Sequence, residues 1–525
     1  MLHKIPSQIK EVLKKLETAG FEAYIVGGCV RDLVMDREPS DWDAATNAKP
    51  EEIIKIFPDS FYENDFGTVG VKVEKFTEGE GEHDVVEVTT YRTEGIYSDK
   101  RRPDAVEFAE TLEEDLKRRD FTINAIALRI SNFQFPISNQ DRISNDKNLK
   151  KIPDIDHEIV DLFGGQTDLK NKIIRAVGNP EERFSEDALR MMRAIRFAIT
   201  LNGNSKLETR NSKHKEEINL WEIEKKTFEA IRKNSKNLKF VSQERIQDEL
   251  VKILLSENPA EGIEMLHEVG LLEYIIPELE KGIGVGQNRH HIHNIWEHNL
   301  LSLKFCPSKK LEVRLAALLH DIAKPQTKRG EGEFSTFYNH DHVGARVAKK
   351  ILERLRFSNE VIQKVYLLID NHMFYYNVDE VTESSVRRLI RKVGLENMQD
   401  LIDLRIADRL GSGTPKAKPY KLRHLEYIIE KVSNDAVSVK MLKINGNDLM
   451  QELGMKPSPK IGAVLDVLLS EVIEDASRNE KNILLTRAQE LVNEDLEKLR
   501  DMAKEKIEEK KEEDEQEIKS KHWVK

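Results

Sequence analysis

The feature that most restricts the fold is a change of hydrophobic period part-way along the chain. From Phe21 to about Leu128, "AYIVGG", "TVGVKVE", "DVVEVTTYR" and "AVEFA" read as strands, while "PEEIIKIF" and "TINAIALRI" read as helices. From "EERFSEDALRMMRAIRFAI" onward the apolar residues recur at helical spacing almost to the end. That order defines an α+β chain, a small α/β head followed by helical units, and 525 residues are enough for three or four of them. Two polar, aperiodic stretches, "SNFQFPISNQDRISNDKNLKKIPDIDHE" and "NGNSKLETRNSKHKEEIN", read as inserts, and "EKLRDMAKEKIEEKKEEDEQEIKSKHWVK" as a frayed, solvated helical tail.

Composition narrows the partners. The chain is 39% apolar and 34% charged with a formal net charge of −11, so any nucleic acid must meet local basic patches, of which "SVRRLIRKVG" and "PKAKPYKLRH" are candidates. No apolar run reaches the ~18 residues of a membrane span. The opening "MLHKIPSQIKEVLKKLETAG" reads as an amphipathic helix without an export signal. Cys29 and Cys306, far apart and without C-x-x-C spacing, fit a reducing cytoplasm.

Chemistry concentrates directly behind the first strand. Gly27 and Gly28 allow a sharp turn and close approach of a phosphate, and "VRDLV" begins a helix with Arg31 as a partner for anions. Asp41 and Asp43, two apart, would share one face of a strand, and two adjacent carboxylates need a cation. A pair of Mg²⁺ ions about 3.5–4 Å apart would activate a hydroxyl and neutralise a leaving pyrophosphate. Further on, "EEDLKRRDFTINAIAL" sets Arg118, Arg119 and Asp120 before Thr122 and Asn124, groups suited to phosphates and a ribose. Asp187, Arg190 and Arg193, spaced by three, fall on one helix face, where a carboxylate and a guanidinium can read the edge of cytosine or adenine.

These segments together resemble the head of class II tRNA nucleotidyltransferases and the related bacterial poly(A) polymerases. G-G-x-V-R-D with D-x-D is matched by Gly27, Gly28, Val30, Arg31, Asp32, Asp41 and Asp43, and R-R-D-F-T-x-N-A by Arg118 to Ala125. "DLFGGQTDL", with Gly164, Gly165 and Asp168, resembles the hinge motif, "SEDALRMMRAIRFA" the base-selecting motif, and "SQERIQDELVKIL" the last neck motif through Arg245 and Glu249. A glycine usual after V-R-D is replaced in "VMDREP", with Asp36 near that place. The resemblance implies a polymerase-β-like head with Asp41 and Asp43 as catalytic metal ligands for Mg²⁺, and Glu87 as a third acidic residue. Gly27, Gly28, Arg31, Arg119, Asp120, Asn124, Asp187, Arg190 and Arg193 would bind nucleotide. "YRTEGIYSDKRRPDAVEF" resembles the flexible loop, with Arg92, Tyr97, Asp99, Arg101 and Arg102 as its polar members.

A second constellation lies in the helical part. "RLAALLHDIAKP" puts His320 and Asp321 at the end of an apolar helix, where burial is costly without a metal or hydrogen bonds. "HHIHNIWEHNLL", "YNHDHVGA", "DNHMFY" and Asp408 of "LRIADRLGSG" complete a mixed nitrogen and oxygen donor set. The pattern resembles an HD domain of the phosphohydrolase superfamily, an arrangement found fused behind such heads. It implies a divalent metal, a transition metal or Mg²⁺, on His298, His320, Asp321 and Asp408; His293 competes with His298, and His340 and His372 serve a second metal or a phosphate. "INGNDLMQELGMKPSPKIGAVLDVLL" resembles the family's tail. The expected domains are a head at 1–160 with its insert at about 131–157, a neck at 161–280, an HD domain at 281–430, an RNA-binding domain at 431–495 and a tail at 496–525. The implied function is addition of CCA to tRNA from CTP and ATP in the cytoplasm, without a membrane partner. A-adding, CC-adding and poly(A)-adding activities are close alternatives, and an HD phosphohydrolase with an RNA-binding head is the rival of another class.

Overall fold

The computed structural model describes residues 4–64, 67–76, 83–94, 106–131, 156–201, 220–288, 292–378, 380–414, 416–433 and 442–524. Both polar inserts, apart from their edges, and the loop residues Tyr97, Asp99, Arg101 and Arg102 lie outside them. The chain divides into two compact units, residues 1–285 with 349–362, and residues 286–348 with 363–525.

The first unit is built on a sheet. Its strands are β1 (Ala23–Val26), β2 (Asp43–Thr46), β3 (Ser60–Asn64), β4 (Thr68–Val73), β5 (Asp84–Thr90), β8 (Ile126–Ser131) and β9 (Asp156–Asp161), in the order β3-β4-β5-β2-β1-β8-β9; β6 (Arg92–Glu94) and β7 (Val106–Phe108) pair separately. Only β2 and β5 run parallel within that order. β1, "AYIV", is buried at all four positions, as expected of a central strand covered on both faces. α1 (Ser7–Thr18) covers part of it, with Ile9, Val12, Leu13 and Leu16 at helical spacing along its buried side.

Three sequence expectations change here. "TINAIALRI" is not a helix: a single 3₁₀ turn, Thr122–Asn124, leads into β8, whose Leu128 and Ala127 pair with Ile25 and Val26. Its apolar run has no polar face, which suits a strand enclosed between β1 and β9 better than a half-exposed helix. The face expected to carry Asp187, Arg190 and Arg193 is broken, because Asp187 is extended between α6 (Pro180–Glu186) and α7 (Leu189–Thr200). Nor does the tail fray.

That tail is the helix Leu496–Lys521. Leu499 and Ala503 enter a core cluster with Val464 and Leu468, and at the far end Ile518 and Val524 pack with Tyr427. Glu515 accepts from Tyr427 Oη at 2.7 Å and pairs with Lys431 at 2.9 Å. A few apolar residues at the right phase therefore dock a segment whose composition is otherwise that of a solvated helix. Leu499 is fully buried, so Leu499→Ala should cost about 2–5 kcal/mol. The expected reading is a lower urea midpoint; an unchanged midpoint would detach the tail from the core.

Candidate active site and candidate metal centre

β1 ends at Val26 and the chain turns at Gly27, with φ +82°. A Cβ at Gly27 would lie 2.7 Å from Arg119 Nη1 and 3.7 Å from Asp43 Oδ2, so both the left-handed backbone and the close approach require glycine. One point beside the turn thus touches both the R-R-D motif and the D-x-D. Asp43 opens β2, and the parallel register sets it beside Glu87 of β5, on strands about 4.8 Å apart. Asp41 does not share that strand. It sits exposed in the preceding bend, accepting from Ser40 Oγ at 3.1 Å, because pairing with β5 starts only where Trp42 O receives Glu87 N–H at 3.2 Å.

α2 (Gly28–Val34) starts at the turn and carries Arg31. Its guanidinium donates to Asp32 Oδ1 and Oδ2 at 2.9 and 3.0 Å and to Asn124 Oδ1 at 2.9 Å. Asn124 Nδ2 in turn donates to Asp120 Oδ1 at 3.2 Å, and Asp120 Oδ2 receives Arg193 Nε at 2.7 Å. A continuous hydrogen-bonded chain therefore joins Arg31, Asn124, Asp120 and Arg193. Burial opposes charge on Asp120, but Arg193 above all, with Asn124 and Arg190, outweighs it and holds the carboxyl at about 2. Just after α2, Asp36 takes a left-handed conformation, φ +58°, at the place expected to favour glycine, and its carboxylate pairs with Lys4 at 2.7 Å.

Arg190 is buried, donating to Glu186 Oε2 at 2.9 Å and to the Arg118 carbonyl at 3.1 Å. Asp187 accepts from Leu189 N–H at 3.0 Å and from Arg245 Nη2 at 2.7 Å. Arg245 lies on α9 (Gln243–Leu254) in the numbering of the labelled helices that also include α3 (Pro50–Ile56), α4 (Leu112–Lys117), α5 (Gly165–Asn171) and α8 (Lys225–Asn234). From the same helix Glu249 holds Arg196 Nε at 2.6 Å, so α9 braces α7 along its length. At the hinge motif, a Cβ on Gly165 would strike the Thr122 carbonyl at 2.2 Å, and Asp168 Oδ2 accepts from Thr122 Oγ1 at 2.7 Å.

Similarity to known proteins follows the same plan. A Poly A polymerase head domain model matches residues 23–175, one described as "Probable RNA and SrmB- binding site of polymerase A" matches 221–283, and a tRNA nucleotidyltransferase domain 2 model matches 335–488. The chain is 34% identical over 501 residues to the CCA-adding enzyme of Ligilactobacillus salivarius, covering 94% of this chain and 99% of that one. The chain belongs to the CCA-adding enzyme family. The Lactococcus lactis subsp. cremoris member is 33% identical, with 94% and 98% covered. The fold resembles the crystal structure of the Bacillus stearothermophilus CCA-adding enzyme in complex with CTP, with a TM-score of 0.54 at 24% identity and 92% and 96% of the chains covered. Membership implies a divalent metal, and the oxygen donors Asp43 and Glu87, side by side in register, are of the type such an ion takes.

The second unit holds the histidine centre. His298 Nε2 lies 3.0 Å from His320 Nε2, 3.1 Å from Asp321 Oδ2 and 3.4 Å from Asp408 Oδ1. His340 Nε2 and His372 Nε2 approach Asp321 Oδ1 from the other side at 3.4 and 3.9 Å. Two donor triads result, His298–His320–Asp321 and Asp321–His340–His372, sharing one buried carboxylate. His293 does not join them; its Nδ1 faces Glu297 at 3.6 Å. Burial opposes charge on Asp321 and Asp408, yet the surrounding histidines, with Lys324 and Arg405, keep both well below the usual carboxylate range. Burial likewise disfavours charge on His298, but Asp321 and Asp408 lift it to about 9, whereas burial and His320 push His372 to about 3. Neither Asp321 oxygen nor His340 Nε2 has a well-formed hydrogen bond, although Lys324 Nζ stands 2.5 Å from Asp321 Oδ2. Buried donors left in that condition fit a divalent cation.

Several contributors escaped the sequence reading. Buried Asp115 receives Arg118 at 2.7 Å and Arg119 at 3.2 Å, a pairing foreshadowed only by its i, i+3 and i, i+4 spacing. Phe197 gathers Arg31, Arg193 and Arg196 around its ring, the last with its guanidinium carbon 4.1 Å from the centroid. Glu186 and Lys324, to which the motifs gave no role, contact Arg190 and Asp321 respectively.

Because the folded Asp120 carboxyl lies below its unfolded value of about 4, its contribution to stability is complete above that value and is lost as the pH falls through about 2. Asp120→Asn should lower the urea midpoint at pH 7 and flatten its decline between those limits. An acid limb identical to the parent's would remove this charge from the stability balance.

Proposed function

We propose that the head transfers nucleotides from CTP and ATP to the 3′ end of tRNA to build or repair CCA. The observation that carries this reading is the bonded chain from Arg31, beside Gly28, through Asn124 and Asp120 to Arg193, with Arg119 and Asp43 meeting at the adjacent Gly27. The tRNA 3′ oxygen forms a bond to the α-phosphorus of the nucleotide as the bond to pyrophosphate breaks. Asp41, Asp43 and Glu87 would hold Mg²⁺, which when bound supplies charge neutralisation at the phosphates and lowers the pKa of the attacking hydroxyl. Gly27, Gly28, Arg31 and Arg119 line the triphosphate, while Asp120 and Asn124 fix the guanidinium of Arg31 and the approach of the ribose. Asp187 and Arg190 present the base-reading edge, held in place by Arg245 and Glu186. In this reading residues 1–160 form the head, 161–280 the neck and 431–495 an RNA-binding domain.

The test supplies each labelled nucleotide separately to purified protein with tRNAs ending before, within and after CCA. CTP then ATP incorporation, stopping at a complete end, is expected; ATP alone on a CC end marks an A-adding enzyme, CTP alone a CC-adding enzyme, and continued adenylation a poly(A) polymerase. Asp43→Ala and Asp41→Ala should each abolish incorporation while retaining tRNA binding, and normal turnover in either would refute the ligand set. Asp187→Ala and Arg190→Ala should relax selection against UTP and GTP by roughly 1–3 kcal/mol, the worth of one bidentate base contact. Unchanged preference at full rate would move base selection elsewhere.

The shared-carboxylate centre favours a second reading, a metal-dependent HD-type phosphohydrolase site on His298, His320, Asp321 and Asp408, with His340 and His372 serving a second ion. His320→Ala with Asp321→Ala should remove bound transition metal and any phosphatase activity but leave nucleotide addition near normal. Equal metal content in parent and variant would overturn it.

A further inference from the structure

We infer that Arg405 and Arg409 form a phosphate-binding subsite at the rim of the histidine–aspartate centre. The inference rests on the second reading above, because it assigns that centre the part of its ligand that no metal donor contacts. Both arginines stand on the helix Leu395–Gly411, one turn apart and on either side of Asp408. Neighbours at i, i+4 on a helix share a face, and like charges in that position repel.

Arg405 Nη1 donates to Asp408 Oδ2 at 2.9 Å, while the other oxygen of the same carboxylate faces His298 at 3.4 Å and His320 at 3.8 Å. One carboxylate therefore separates this guanidinium from the metal donors, and its planar face lies over Phe374, 5.9 Å from the ring centroid. Arg409 Nε is buried and makes no hydrogen bond, and no ion-pair partner faces Arg409 among the described residues. Its own backbone is satisfied: the Arg409 carbonyl accepts from Thr414 Oγ1 at 2.5 Å. Arg405 takes one carboxylate and Arg409 none, which leaves positive charge and N–H donors unmatched. Arginine's donor fork fits a tetrahedral phosphate, and an unmatched buried donor on the helix that carries Asp408 is costly unless an anion arrives. The chemical class is a phosphoryl group, carried by a phosphate ester or free in solution.

The experiment titrates inorganic phosphate by calorimetry into the full-length protein, metal-free and manganese-loaded, with metal content measured in each sample. Arg409→Met keeps an unbranched apolar stem and removes the fork; Arg405→Lys keeps charge beside Asp408 while removing the guanidinium's bidentate geometry. Phosphate binding weakened at least about tenfold in Arg409→Met, with parent metal content and melting temperature, is the expected result. Equal phosphate affinity in parent and Arg409→Met, or no phosphate binding by the manganese-loaded parent, would overturn the subsite. If the parent takes up no manganese yet binds phosphate through Arg409, the metal reading fails and the anion subsite stands. A 5′-nucleoside monophosphate in place of phosphate then distinguishes an ester from the free ion: tighter binding that still depends on Arg409 places the ester there, and equal affinity assigns the site to the phosphate group alone.

Discussion

The first unit depends on one ion pair, the buried Asp120 carboxylate with the partly exposed Arg193 guanidinium. Their contact at 2.6 Å crosses from the segment between α4 and β8 to α7, so α7 meets the sheet through a carboxylate that is itself cut off from water. Such a pair contributes less to net stability than to a single arrangement, because removing either partner strands the other. The arrangement it selects is chemically specific. Asp120 uses its second oxygen to receive Asn124, and Asn124 turns its carbonyl to Arg31, so the Arg31 guanidinium is fixed through the pair that Asp120 makes with α7.

Charge at this site is organised around an aromatic ring as well as around carboxylates. Arg31, Arg193 and Arg196 all lie over Phe197, and Phe197 meets the buried ring of Phe121 edge-on with centroids 5.7 Å apart. Each guanidinium also has a carboxylate of its own, Asp32, Asp120 and Glu249 respectively, so cation–π contact with one ring adds to three separate ion pairs. From α9, Glu249 restrains Arg196, and Arg245 on the same helix holds Asp187 at the start of α7.

Much of this was legible in the sequence, and what was not has a physical cause. Gly27 stands out because local geometry demands it, the turn having positive φ; the strand expected to carry both acidic residues begins only at Asp43, because its start is set by pairing with the distant β5, and Asp41 is left in the bend before it. The helix assigned to "TINAIALRI" fails because an apolar run without a polar face has no period of its own, and only β1 and β9 on either side decide it. The break at Asp187 is hidden for a similar reason. Its carboxylate caps Leu189 N–H and binds Arg245, so a tertiary partner reinforces the local departure from helix. In the second unit, spacing named the histidines but could not choose between His293 and His298; burial of His298 on the inner side of its helix makes that choice.

The two sites solve the problem of concentrated charge in opposite ways. In the head, acidic groups meet guanidiniums pair by pair, and the exposed carboxylates Asp41 and Glu87 remain where water can reach them. In the second unit, Asp321 is buried among four imidazoles with only the Lys324 ammonium beside it. A carboxylate so placed has lost its hydration, and replacing the centre by apolar residues would remove that cost. A fold needing only a packed core at this point has no use for Asp321. The cost in stability that this centre carries is one that packing does not explain, and its mixed nitrogen and oxygen donors are of the type a divalent cation takes.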